Sequence, residues 1–187
     1  MGDVRESARA RGTDPASVGS KGRGTHSYLV TGWTSPMQIL YTSQLASEHL
    51  EELQELMFFN QNQHQVVSGI VSSIEQFGEP VVKSDGKTLR IHTSLLGEVQ
   101  SLFAVEENAE QTRPIGVMVH ARSAPDTLTL LHIGVDEDYA ADGPYADEMV
   151  TMKLIQRLIK VGSQIKDIRK IVVLYGPKDS TEIPIRR

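Results

Sequence analysis

Apolar residues recur along this chain with two different periods. SEHLEELQELMFF, Ser47 to Phe59, places Leu50, Leu53, Leu56 and Met57 three and four apart, the spacing of one helix face. Ser47 is positioned to cap this helix, and Glu51 sits near the capping-box position. Val66, Val67, Ile70, Val71, Ile74 and Phe77 predict a second helix with a wide apolar face, closed by Gly78 and Pro80. The polar stretch NQNQHQ, Asn60 to Gln65, joins the two. Elsewhere the pattern is that of strands. MQILYTSQL (Met37 to Leu45) precedes the first helix. Thr88 to His92 follows an Asp85-Gly86 turn, and then come Val99 to Glu107, Ile115 to Ser123 and Thr127 to Asp136. Pro125 and Asp126 suit an antiparallel turn between the last two.

A third helix is predicted from Tyr145 to Val161, with Met149, Met152, Ile155, Leu158 and Ile159 on one face and Gly162 as its stop. RKIVVLYG, Arg169 to Gly176, is a β-branched run of the kind that fills a buried strand. The order is β-α-α-β-β-β-α-β, with the short Thr88 strand ahead of the three-strand meander. A strand, loop, helix and strand in succession predict one parallel crossover joined to an antiparallel meander. The fold class is therefore α/β, in the sense of an α+β mixed sheet.

The 187 residues suit a single domain over 35–176, a flexible leader over 1–34 and a tail over 177–187 that holds two prolines. Arg5, Arg9, Arg11, Lys21 and Arg23 make the leader a weak basic arm at best. A formal charge of -5 disfavours nucleic acid and anionic membranes as partners. The chain has no cysteine, which excludes disulfides, thiolate metal sites and cysteine nucleophiles and fits a cytoplasmic location. No apolar run approaches the roughly 18 residues of a membrane span. The signature motifs of phosphate-binding loops, serine hydrolases and zinc proteases do not occur.

VQSLFAVEE, RPIGVMVHARS and LTLLHIGVDEDYA occur in that order, and VDEDY (Val135 to Tyr139) closes the last meander strand. These segments resemble the GNAT superfamily of acyl-CoA N-acyltransferases over roughly residues 37 to 176. The resemblance implies a GNAT-like fold, acetyl-CoA or another acyl-CoA as cofactor, and an amine as acceptor. It implies a thioester held along Ile133 and Val135, with a backbone N–H near Val135 polarising the carbonyl. It places the pyrophosphate in AADGPY, against Ala141, Asp142, Gly143 and Tyr145. The family loop reads Q/R-x-x-G-x-G/A. Here Ala140 stands where the basic or amide residue is usual, Tyr145 where glycine or alanine is, and Pro144 removes one N–H. Asp136, Glu137, Asp138, Asp142, Asp147 and Glu148 make the region acidic.

The family also continues past its fifth strand with a helix and two further strands, whereas here eleven residues follow Gly176. The expectation is an open edge on strand 169–176, available to a second copy or a partner protein. His132 is the candidate general base. It could also stand beside His120 across the Pro125 turn, although no Asp or Glu accompanies the pair at ligand spacing and no metal site is expected. Glu106 and Glu107 read as solvated turn carboxylates. The alternative to an enzyme is a non-catalytic GNAT-like module that binds a partner or senses a ligand. A third reading is an unrelated α/β domain, in which the last meander strand and the strand after the helix would not splay apart.

Overall fold

The structure, a computed structural model, describes residues 38–60, 63, 66–108, 111–174 and 180–186. The leader with Trp33 lies outside the described residues, as do Met37, His64, Tyr175 and Gly176. β1 (Gln38–Thr42) leads through a short 3-10 turn into α1 (Leu50–Phe58) and α2 (Val67–Phe77). Then come β2 (Pro80–Ser84), β3 (Leu89–Thr93), β4 (Gly97–Glu107), β5 (Thr112–Ala124) and β6 (Thr127–Val135). α3 (Val150–Gln164), β7 (Lys170–Val173) and β8 (Thr181–Pro184) complete the described elements. The eight described strands form one open sheet, in the order β2-β3-β4-β5-β6-β7-β8 with β1 alongside β4. Every pairing is antiparallel except β6–β7, which α3 connects. The mixed α+β sheet, the meander and the single parallel crossover are as the patterning predicts.

Alternation of side chains divides the core in two. Leu53, Leu56 and Met57 of α1 pack with Phe103, Val117 and Leu131 on one face of the sheet. Leu154 and Leu158 of α3 pack with Met118, Leu128, Leu130 and Ile171 on the other.

Five expectations are corrected. First, Pro80 does not only stop α2. It opens β2, which pairs with β3 through a turn where Asp85 Oδ1 accepts from the Lys87 and Thr88 amides at 2.9 and 2.7 Å. Second, residues read as tail form β8, which lies along β7 from Lys170↔Pro184 to Val173↔Thr181. Pro184 is tolerated because it ends an edge strand, where a missing N–H costs little. The edge of β7, the described part of the strand expected over 169–176, is therefore covered from Lys170 to Val173, and it is not the open surface expected for a partner.

Third, α2 turns Gly69 and Ser73 to the sheet, with Phe77 packed against the core, and leaves Val67, Val71 and Ile74 exposed, so only part of the broad apolar stripe is buried. Fourth, α3 begins at Val150 and not at Tyr145. The Tyr145 and Ala146 amides bond back to the Asp138 and Gly143 carbonyls, and Met149 adopts a left-handed conformation with φ 48° before the helix starts. Fifth, Ser47 lies within the 3-10 turn and does not cap α1. Among the described residues no helix is long and apolar enough to cross a membrane.

Candidate functional site

β6 pairs with β5 along its length but with β7 only from Thr127↔Lys170 to Leu130↔Val173. The β5–β6 register also shifts, so that His120 faces Leu130 while Val119 faces His132. Leu131 is thus the extra residue of a bulge, and its carbonyl accepts from the Ser73 hydroxyl of α2 at 2.7 Å. Beyond Leu130 the β7 side of β6 carries no described strand partner. There Ile133, Gly134 and Val135 open onto a cavity of about 240 Å³, which Asn60, Gln63 and Val66 of the α1–α2 joint, Ala140 to Asp142 and Thr151 enclose.

The joint is held by its own amide side chains. Asn60 Nδ2 donates to the Val135 carbonyl, and Gln63 Nε2 donates to the Met57 carbonyl at 2.5 Å. Gly134 lets α1 approach this strand: a Cβ there would lie 2.5 Å from the Leu56 carbonyl oxygen.

The turn after β6 is built on charge. Asp136 Oδ1 accepts from the Asp138 amide at 3.0 Å, and its Oδ2 accepts from Arg113 Nη1 at 3.2 Å. Arg113 Nε also donates to Glu106 at 2.8 Å. The buried Tyr139 hydroxyl hydrogen-bonds the same Glu106. Desolvation first, and then that carboxylate, push the phenol up to about 12. The Tyr139 ring stacks on Tyr145 at 5.1 Å. Glu106 is thus a buried, paired carboxylate and not a solvated one. Arg113→Met leaves Glu106 buried without its cation and should cost about 2 kcal/mol, below the roughly 3–5 kcal/mol of a fully buried pair because Arg113 is about one-third exposed. Urea unfolding at neutral pH measures it.

The loop uses its amides on itself. Gly143 N donates to the Ala140 carbonyl at 3.0 Å, Tyr145 N to Asp138 at 2.8 Å and Ala146 N to Gly143 at 3.2 Å. The absent side chain of Gly143 makes room for protein: a Cβ would stand 2.3 and 2.4 Å from the carbonyl oxygens of Asp138 and Glu137.

Of the residues singled out from the sequence, Ile133, Val135, Ala141 and Asp142 come together around the splayed end of β6, while Gly143 and Tyr145 do not line that cavity. His132 is 6% exposed and faces α2 across a separate space of about 20 Å³, shared with Ile70, Ser73 and Thr93, which has room for one water. Burial pushes its imidazole down to about 4. His120 lies against α3 on the opposite face, so the bulge separates the two histidines that simple alternation would pair. Among the described residues no cluster of three or more metal-ligating side chains occurs.

Beside the splay, a cleft of about 700 Å³ is lined by Glu51, Glu52 and Glu55 of α1 and by Asp136, Glu137 and Asp138. Asn60 lines both this cleft and the smaller cavity. Among the described residues the cleft's single lining cation is Arg113, already bound to Glu106 and Asp136.

No protein-family model, curated protein or solved structure matches this chain.

The contributions of Arg113 and Thr151 were not visible in the sequence as site residues. Arg113 meets partners seven residues behind it and 23 ahead, spacings that no local pattern marks.

Proposed function

We propose that the domain is an acyl-CoA-dependent N-acyltransferase-like protein, with an acyl thioester at the splayed end of β6 and an amine acceptor entering from the acidic cleft. The observation that carries this reading is the separation of β6 from β7 after Leu130, which leaves Ile133 to Val135 facing a cavity instead of a strand. The antiparallel β4–β5–β6 meander, β1 alongside β4 and the α3 crossover agree with the GNAT resemblance. Six carboxylates in the neighbouring cleft favour a cationic acceptor over an anionic one.

In this reading the amine nitrogen attacks the thioester carbonyl. The C–N bond forms, the C–S bond breaks, and backbone N–H groups at the strand end stabilise the charge on oxygen. The amine proton passes through a cleft carboxylate, directly or through water, and ends on the departing thiolate. His132 lines neither the splay cavity nor the acidic cleft.

A second reading, a non-catalytic module that senses a ligand or binds a partner, is favoured by the loop itself. Its Gly143, Tyr145 and Ala146 amides are already engaged, and its carboxylates repel a pyrophosphate.

Calorimetric titration with acetyl-CoA and with free coenzyme A separates the two. The transferase-like reading expects a Kd on the order of micromolar, weakened about tenfold or more by Thr151→Trp, which fills the cavity from an exposed position. Absence of heat at millimolar ligand would leave the non-catalytic reading. Gly143→Asp is unsuitable for this purpose, because its Cβ collides with the loop backbone before any ligand is involved.

A further inference from the structure

The sheet has a second break, away from the site above. β4 pairs with β3 at Gly97 to Val99 and with β1 at Phe103 to Glu107. Between them Gln100, Ser101 and Leu102 have β5 alone as a described strand partner. A cavity of about 550 Å³ opens at this break, and it shares no lining residue with the splay cavity or the acidic cleft. Its volume is in the range of small-molecule sites.

Leu89, Leu102, Met118 and Leu158 give it apolar walls. Arg90 and Glu98, its two charged lining residues, stand 3.5 Å apart and cancel. His120 also lines it. The residue is 5% exposed, and neither ring nitrogen has a hydrogen-bond partner; Ser101 Oγ is buried and equally unmatched.

Native interiors satisfy nearly all their buried polar atoms, so unmatched atoms on the wall of a cavity point to a ligand. Burial pushes the His120 imidazole down to about 4, which leaves it neutral at pH 7, with one N–H donor and one nitrogen acceptor. A charged ligand would lose its hydration here and find no free counter-charge.

We propose that the cavity binds a neutral, mostly apolar small molecule whose one polar group both donates and accepts a hydrogen bond, a hydroxyl or carboxamide, held against His120. The site is independent of any acyl-CoA binding at β6.

The test is a nitrogen-15 amide and imidazole shift titration of the whole chain with para-ethylphenol, benzyl alcohol and benzamide. Toluene, benzoate and benzylammonium serve as matched counterparts. The expected result is saturable shifts from at least one neutral polar probe at residues 89–91, 100–102 and 118–120, together with the His120 ring nitrogens. The charged probes should give none there, and toluene should bind about tenfold more weakly. His120→Leu should lower affinity for the polar probe to that of toluene. Val161→Trp, which fills the cavity from the half-exposed face of α3, should abolish binding while the remaining spectrum stays folded. Three results would each overturn the proposal. These are silence from all three neutral probes at this cavity, equal binding of toluene, and binding unchanged by both variants.

Discussion

Lowering the pH from 7.5 to 5 should remove about 4 kcal/mol of folding stability. The cause is two histidines buried on opposite faces of the sheet. His120 and His132 are 5% and 6% exposed, and burial pushes both imidazoles from 6.5 down to about 4. The unfolded chain therefore takes up two more protons than the folded one between these values. Stability is complete above about pH 6.5 and falls progressively as the pH drops towards 4, with each histidine accounting for about 2 kcal/mol by pH 5. Asp85 is also held below its ordinary value, by hydrogen bonds from the Thr88 and Lys87 amides, so its contribution is lost only at still lower pH. Urea midpoints measured across pH 7.5 to 5 check the prediction, and His132→Gln should remove about half of the slope. A flat profile would mean that neither imidazole is held neutral by burial.

Gly134→Ala should destabilise the fold by about 3 kcal/mol or more, at the upper end of overpacking costs. The added Cβ would lie 2.5 Å from the Leu56 carbonyl oxygen and 3.4 Å from its carbon, and both are backbone atoms of α1 that cannot rotate away. Relief requires α1 to lift from β6, which uncovers Leu53, Leu56 and Met57. Hydrogen exchange should speed up in α1 more than in α3, which packs on the other face. A loss below about 1 kcal/mol would show that α1 is free to shift and that the contact does not fix the joint beside the splay.

These two contacts also mark how far the sequence can be read. Strands β4, β5 and β6 were legible because alternation and β-branched content are local properties, and the Leu53–Met57 face of α1 was legible for the same reason. The helix α2 was legible too, but its buried face was misread in part, because the close approach to the sheet uses Gly69 and Ser73, which carry no apolar signal. The two prolines of residues 177–187 hid β8, since proline argues against a strand except at an edge or an end. One extra residue at Leu131 was enough to send His132 to the face opposite His120. Such a bulge has no mark in a period-two pattern. Of the candidate site, the strand end at Ile133 and Val135 and the turn at Ala141 and Asp142 were legible. The Arg113 bridge and the internal bonding of the Gly143 loop were not, because both depend on partners that only the folded chain brings together.

The most direct test of the central claim is to map acetyl-CoA onto the folded chain by amide shifts. The account predicts saturable changes centred on residues 131–135, 140–142 and the α1–α2 joint near Asn60, and these should diminish in Thr151→Trp. An unchanged spectrum at millimolar acetyl-CoA, or shifts centred away from the end of β6, would contradict it.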